Sequence, residues 1–279
     1  MRKKILTILL TMAFVGGASW LLKALPLGLS SNAYATPDKG KTCSKCHGPN
    51  SKNTPKELKG YTSQFMTEAC NGFSSEGTNP YFVLTPGFQL TLEGKEKKEN
   101  VHLTITVLDT TKTFNDLDIG GEGVTNVTTR VVEERETRDG LLAEVSRNYF
   151  AICNRTNSVF YFGEDVDIYD ATGKTVISHD GSWLPGQYDA RAGIVMPGVI
   201  LLGGKYFQEV APGVALDRAE ILSMTEALQT PAGVFENCLK TKETSALERG
   251  TAYKFYAPGI GLIKDGTLEL TGYGNVTPP

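Results

Sequence analysis

The sequence predicts a mainly β protein whose strands form one large curved antiparallel sheet or an open barrel, preceded by a short N-terminal segment that is mostly irregular or helical. From about Asn79 onward, short runs rich in β-branched and aromatic residues alternate with turn signals. No part of this region has a long helical period. Pro-Gly pairs, which favour tight turns, punctuate it at 86–87, 185–186, 197–198, 212–213 and 258–259.

The first 35 residues have the order of a secretory signal. Residues 2–4 are basic, residues 5–22 are apolar apart from Thr, Ser and Gly, and Ala33 and Ala35 supply the small residues of a cleavage site. This order predicts cleavage after Ala35 and a periplasmic or otherwise exported protein. The alternative is an uncleaved anchor, because the first apolar run is close to membrane-spanning length.

Removal of the leader leaves an acidic chain. The leader contains four of the 28 basic residues and none of the 31 acidic ones, so the remaining 244 residues carry 24 basic against 31 acidic side chains. Such a chain is a poor candidate for nucleic-acid binding and has no basic stripe for anionic lipid. No later run is long enough to cross a bilayer, so we expect no stable membrane span after cleavage.

The motif with the clearest chemistry is Cys43-Ser44-Lys45-Cys46-His47. Two thiols three positions apart can bond to the two vinyl groups of a porphyrin, and the adjacent imidazole is then held beneath the iron. The motif therefore predicts one covalent haem c on Cys43 and Cys46, with His47 as the proximal iron ligand. A zinc site would need more ligands, and a thioredoxin-type pair would follow a strand. A Cys43–Cys46 disulfide is the other use that an oxidising compartment allows.

The residues after the motif resemble a cytochrome c haem segment over about residues 40–72. The run 46–50 is similar to the start of such a segment, and 55–61 is similar to the loop that packs a Leu against the haem. A short helix is predicted over 62–70. Only seven residues of the mature chain precede Cys43, too few for the usual leading helix, and no second long helix follows. In a domain truncated in this way, other parts of the chain must shield the haem from solvent.

The sixth iron ligand decides whether a haem only transfers electrons or also binds small molecules. The candidates are Met66, Met196, Met224, His102 and His179. Met66 is the nearest in sequence, and a Met/His pair suits electron transfer, so Met66 is our candidate for the distal ligand. His102 lies in an alternating strand and His179 beside a turn, which predicts surface positions for both. A ligand from a partner chain, or an open site, is the alternative.

The strands that follow are bounded by turn signals. Asp139-Gly140 and Asp170-Ala171-Thr172-Gly173 predict two hairpin turns. The strands are predicted near 88–93, 101–110, 124–137, 142–152, 158–163, 166–170, 174–179, 205–211, 219–229, 234–244, 252–257, 260–264 and 267–271.

Six stretches of this region carry a resemblance. They are 79–87, 159–166, 181–183, 193–197, 231–235 together with 238–242, and 256–262. With these stretches, residues 79–265 resemble a family of exported bacterial β-rich proteins whose biochemical role is not settled. The resemblance implies a fold more than an activity, and the haem segment is not part of the family's usual pattern. We therefore predict a leader (1–35), a truncated cytochrome c-like haem segment (36–78) and a β-rich domain (79–279).

Three further groups of side chains have two interpretations each. Glu164, Asp165, Asp167 and Asp170 suggest a solvated hairpin edge more than a calcium or glycosidase site. The aromatic residues are expected in the sheet core rather than around a ligand: Trp183, Tyr188, Tyr206, Phe207, Tyr253, Phe255 and Tyr256.

The remaining cysteines also allow two interpretations. Cys153 and Cys238 both lie in strands, where they could form a disulfide or remain buried thiols. Cys70 is then left over, either buried near the haem or paired between chains.

The sequence thus favours an exported monohaem electron carrier that serves a redox partner protein, and it implies no bond-making catalysis. The first alternative is a ligand-binding or sensing protein that uses an open haem face or a cavity in the β domain. The second is an oxidoreductase with its substrate between haem and sheet.

Overall fold

The computed structural model describes residues 60–65, 67–118 and 124–276. The predicted leader, the haem-attachment residues Cys43, Cys46 and His47, and the distal-ligand candidate Met66 lie outside the described residues. Within them, a short 3-10 helix, Thr67–Cys70, precedes a long series of strands. No helix in this part of the chain is long and apolar enough to cross a bilayer.

The strands, numbered in chain order, form nearly all of the described structure. They are β1 Phe73–Ser74, β2 Thr78–Asn79, β3 Phe82–Val83, β4 Phe88–Glu96, β5 Glu99–Asp118, β6 Val124–Arg138, β7 Leu141–Cys153, β8 Val159–Tyr169, β9 Val176–Ser178, β10 Arg191–Met196, β11 Lys205–Phe207, β12 Glu209–Val210, β13 Asp217–Thr230, β14 Gly233–Ser245, β15 Ala252–Ala257, β16 Gly261–Asp265 and β17 Leu268–Asn275.

One antiparallel sheet contains all of these strands except β2 and β3. Its order is β11-β13-β14-β15-β16-β17-β4-β5-β6-β7-β8-β10-β12. The two ends of this order belong to one stretch of chain, since Gln208 alone separates β11 from β12. Because β11 pairs with β13 while β12 pairs with β10, residues 205–210 join the two edges of the sheet and form a nearly closed barrel. The predicted mainly β fold with a large curved antiparallel sheet is confirmed.

Most predicted strands and both predicted hairpin turns are present. Asp139 and Gly140 have φ of 48° and 80°, the two positive values that a tight hairpin turn requires. The unpredicted strands are the two-residue strands β1, β2 and β3 and the longer β10, which contains Gly193. A Cβ on Gly193 would lie 2.4 Å from the carbonyl oxygen of Gln208, so glycine lets this strand approach the closing segment.

The first half of strand β8, residues 159–164, is buried on both faces. Tyr161 belongs to the core inside the barrel, whereas Phe160 and Phe162 belong to a second apolar cluster on the outside. Phe65 and Phe73, from the chain that precedes the barrel, pack edge-on against Phe160 with ring centroids 5.9 and 5.4 Å away. The N-terminal segment therefore covers part of the barrel wall.

A hairpin of β2 and β3 covers one end of the barrel. The buried Asn79 amide donates hydrogen bonds to the carbonyl oxygens of Asn157 and Pro197, both 2.9 Å away. The Phe82 ring packs edge-on against Phe150 with centroids 5.1 Å apart. This hairpin closes the space inside the barrel from one side.

Candidate functional site

The N-terminal segment is attached to the barrel wall where the described chain begins. Thr62 forms a parallel bridge with Tyr206: the Thr62 amide donates to the carbonyl of Lys205 (2.9 Å), and its carbonyl accepts from the amide of Phe207 (2.8 Å). The Tyr61 ring packs edge-on against Phe207, with centroids 6.0 Å apart. Tyr61 and Thr62, near the start of the described chain, are therefore fixed beside β11.

A disulfide makes a second attachment. Cys70, at the end of the 3-10 helix, is bonded to Cys153 at the end of β7, with Cα atoms 4.9 Å apart. Cys238 is a buried free thiol. The Cys153–Cys238 bond considered from the sequence is therefore wrong, and the leftover Cys70 is the true partner. Strand membership could not decide this, because bonded cysteines must bring their Cα atoms to within about 7 Å.

Carboxylates dominate one part of the barrel interior, which we call the acid layer. Register places Glu136 of β6 directly across from Glu144 of β7. Asp217 and Glu209 meet through a hydrogen bond from the Asp217 amide to Glu209 Oε1 at 2.6 Å. The members are all buried carboxylates: Glu134, Glu136, Glu144, Glu164, Glu209, Asp217, Glu243 and Asp265.

Lys254 is the fully buried cation of this layer. Its side chain is 0% exposed, and its Nζ lies 3.3 Å from Glu243 and 3.1 Å from Asp265. Glu243 also accepts a hydrogen bond from the hydroxyl of Tyr256 at 3.2 Å. One ammonium cannot neutralise the whole acid layer, since the layer holds many more carboxylates than cations.

The surplus carboxylates respond by binding protons. Burial raises the pKa of Glu134 to about 8, with Lys254 opposing and Asp265 adding to the rise. Burial likewise raises the pKa of Asp217 to about 7. For Glu164, burial and then the neighbouring acids raise the pKa well above its usual range. Several members of the acid layer are therefore protonated at neutral pH and can donate hydrogen bonds.

Some polar atoms around the acid layer have no hydrogen-bond partner within the described part of the chain. They include the hydroxyl of Tyr206, the indole nitrogen of Trp183, Oε2 of Glu164 and Oε1 of Gln208. Buried polar atoms of this kind usually bind ordered water or a polar ligand. The interior of the barrel therefore has polar groups available to such a molecule.

A cavity of about 50 Å³, which we call the apolar chamber, lies between the β2–β3 hairpin and the acid layer. Its lining includes Glu134 and Tyr256, which connect it to the acid layer. The other lining residues are apolar: Phe82, Val83, Phe88, Leu90, Ile105, Val107, Val132, Phe150, Ile260, Gly261 and Leu262. A cavity of this size has room for a group of only a few atoms, and its lining is mostly apolar with two polar side chains at one side.

The predicted acidic hairpin edge is correct in part. Asp165 and Asp167 form ion pairs with Lys112 (3.2 Å) and Arg147 (3.0 Å) at the surface. Glu164, however, is 2% exposed and belongs to the acid layer, so its predicted solvated position is wrong.

The reason for the buried position of Glu164 is a bulge in β8. The register pairs Phe150 with Tyr161 and Asn148 with Glu164, so two steps on β7 match three on β8. Gly163, with φ of 136°, takes up the additional residue. The bulge therefore turns Glu164 to the same side as Tyr161, toward the interior.

The other site candidates are distributed over the barrel. His102 and His179 are exposed beside Glu93 and Asp167, as predicted. Met196 is buried in the core, and Met224 is partly exposed. Trp183, Tyr206, Phe207 and Tyr256 are core residues as expected, but Tyr188 and Tyr253 are exposed.

Sequence reasoning missed the acid layer because its members lie in strands that also have solvated faces. Among residues 60–65, 67–118 and 124–276, no cluster of three or more His, Cys, Asp or Glu side chains has the arrangement of a metal site.

Comparisons with known proteins do not indicate what this site does. No family model matches the chain, and no curated protein matches it. A Bacteroides fragilis protein with a YmcC-like fold, described by its name as expected to be exported, aligns with 71% of this chain and 100% of its own length. The identity is 16% and the TM-score is 0.34, which is too weak to support a conclusion about fold, location or activity.

Proposed function

We propose that this protein is an exported monohaem c-type cytochrome that transfers electrons outside the cytoplasm, with its β barrel acting as the scaffold for the haem segment. The observation that carries the proposal is the five-residue motif Cys43-Ser44-Lys45-Cys46-His47, followed by a chain that is fixed to the barrel. Cys43 and Cys46 would hold the porphyrin, and His47 would be the proximal iron ligand. The haem supplies a one-electron redox centre.

The attachment of the chain after the motif supports this role for the barrel. The 13 residues between His47 and Tyr61 can extend over at most about 50 Å. Tyr61 and Thr62 are held on β11, and Cys70 is bonded to Cys153. A haem on this tether stays within that distance of β11, so the barrel anchors it where a redox partner protein could meet it.

The disulfide also supports an exported protein. Disulfides persist in oxidising compartments such as the periplasm and are rare in the cytosol. The Cys70–Cys153 bond closes a loop with a sequence separation of 83 residues, so it restricts the unfolded chain strongly. Together with the leader-like residues 1–35, it supports a location outside the cytoplasm.

Met66 remains our candidate for the distal iron ligand. It stands directly after Phe65, which packs against Phe160 on the barrel wall. Met66 and His47 would then both hold the iron, and a Met/His ligand pair suits electron transfer. In that case, the reduced protein shows a low-spin α-band that carbon monoxide does not change.

A pyridine haemochrome assay combined with intact mass tests the proposal on protein made in a host with haem-attachment machinery. We expect one haem per chain and a mass increase of one haem, iron included, over the processed polypeptide. The matched control is the Cys43→Ala/Cys46→Ala double variant, which should fold with the barrel intact and carry no covalent haem. Wild-type protein with the mass of its polypeptide alone and no Soret absorption would overturn the proposal.

The apolar chamber favours a second candidate function, the binding or sensing of a small ligand. The chamber offers a mostly apolar wall and two polar groups, Glu134 and Tyr256. The visible spectrum of the reduced protein distinguishes electron transfer from ligand sensing at the haem. Rapid binding of carbon monoxide would favour sensing over simple electron transfer.

A further inference from the structure

The chain between β10 and β11 presents consecutive apolar side chains to solvent. Val199, Leu201 and Leu202 are 70%, 66% and 66% exposed. Ile200, between them, is partly buried and packs against the core of the barrel. A single exposed apolar residue is ordinary, but a run of them on one segment is typical of a surface that another group covers. We call residues 199–202 the apolar turn.

The exposure is built into a well-ordered backbone. The Gly204 amide donates to the carbonyl of Leu201 at 2.9 Å, and Gly203 has φ of +79°, which is the pattern of a type II turn with Leu202 at its tip. Hydrogen bonds of 2.9 Å from Gly203 to Ile221 and from Ile221 to Gly204 fix the turn to β13. The two leucines therefore cannot turn inward without breaking these bonds.

The haem segment joins the barrel beside this turn. Thr62 pairs with Tyr206 in parallel, so the first described residues lie beside the chain that leads into Lys205. Leu202 is three residues before Lys205, a distance of at most about 11 Å. The described chain therefore begins next to the apolar turn.

We infer that the haem-bearing segment, residues 36–59, is the group that covers the apolar turn, with an edge of the porphyrin packed against Val199, Leu201 and Leu202. This inference rests on the proposed function. Its physical reason is the shortness of the segment, which contains only seven mature residues before Cys43 and too little chain to enclose a porphyrin by itself. Packing on the turn removes apolar surface of both groups from water.

Photo-crosslinking on the haem-loaded full chain identifies the occupant directly. A benzophenone amino acid replaces Leu202 in one protein and Val234 in the control protein. Val234 lies at the β13–β14 hairpin and is 65% exposed. Val234 is separated from Ile221 by most of β13, roughly 30 Å along the strand. We expect a crosslink within one chain to the haem peptide of residues 36–59 from position 202 and not from position 234.

Three outcomes would overturn the inference: covalent dimers through position 202, which indicate a second copy; lipid adducts when anionic vesicles are present, which indicate a membrane; or no adduct to residues 36–59. Haem content is measured on the same sample by haemochrome. Absent haem refutes the proposed function, whereas a full haem content without the crosslink refutes only the docking.

A second measurement does not depend on the crosslinker. The Leu201→Ser/Leu202→Ser variant should expose the haem edge to water and lower its midpoint potential, because water stabilises the more highly charged oxidised iron. Val234→Ser is the matched control and should leave the potential unchanged. Equal potentials in all three proteins would contradict the inference.

Discussion

The barrel interior changes from apolar to acidic within single strands. Along β6 the inward residues are Val132, Glu134 and Glu136, and along β15 they are Tyr256 and then Lys254. The apolar chamber thus becomes the acid layer over a few residues. Different interactions therefore stabilise the two regions of one barrel. The apolar chamber depends on apolar burial, whereas the acid layer depends on paired charges and bound protons.

The two regions differ in what a single change should cost. In the apolar chamber the neighbours of each side chain are mostly hydrocarbon, and the loss of a few atoms removes only their burial. In the acid layer, each charge is compensated by particular partners, so the loss of one partner leaves another charge buried and uncompensated.

The largest expected effect is that of Lys254→Met. Removal of the ammonium between Glu243 and Asp265 should lower the free energy of unfolding by about 3–5 kcal/mol at neutral pH, because it leaves buried carboxylates without their cation. Urea unfolding with the disulfide intact measures this. The matched control is Lys264→Met, which removes a more exposed ion pair with Glu269 and should cost about 1 kcal/mol or less. Equal losses would show that the acid layer does not depend on its cation.

The second prediction concerns pH. Glu134 has an ordinary pKa of 4.5 in the unfolded chain and a pKa of about 8 in the barrel, so the folded state holds its proton more tightly. Its contribution to stability is fully present below pH 4.5 and is lost as the pH rises through about 8. Asp217, with a pKa raised from 3.8 to about 7, acts in the same direction. The free energy of unfolding should therefore fall from pH 5 to pH 9.

Glu134→Gln tests this slope because a neutral amide has no proton to lose. The variant should match the wild type at pH 5 and exceed it at pH 9 by roughly 2–4 kcal/mol. Chemical denaturation across the pH range is the measurement, and the exposed Glu236→Gln is the control. If both variants follow the wild-type curve, Glu134 is not protonated in the barrel.

The sequence predicted the strands and turns well because local patterns determine them. Alternation of apolar and polar residues defined β4, β6, β7 and β13–β16 to within a few residues, whereas β5 extends eight residues beyond its predicted end. Asp139-Gly140 formed the expected hairpin turn. These features depend on neighbours along the chain. Closure of the barrel by residues 205–210 depends instead on two edges meeting through tertiary structure, which a single sequence does not specify.

The site was harder to predict for the same reason. Buried carboxylates are rare, so Glu134 and Glu136 in the run Val131–Glu136 are expected in solvent from sequence alone. Lys254, which interacts with Glu134, is more than a hundred residues later in the chain, and only the folded sheet brings it near. The bulge at Gly163 and the Cys70–Cys153 bond are likewise set by contacts between distant parts of the chain.

The smallest predicted effect tests the apolar chamber itself. Val107→Ile adds one methylene toward the cavity of about 50 Å³ and should raise the free energy of unfolding by about 0.8 kcal/mol, equally at pH 5 and pH 9, because the added group is apolar. The control Val145→Ile adds the same group at a fully buried position that does not line the chamber, where overpacking should cost about 1–3 kcal/mol. If Val107→Ile loses as much stability as Val145→Ile, the chamber has no room for an added methylene. It would then have no room for a ligand.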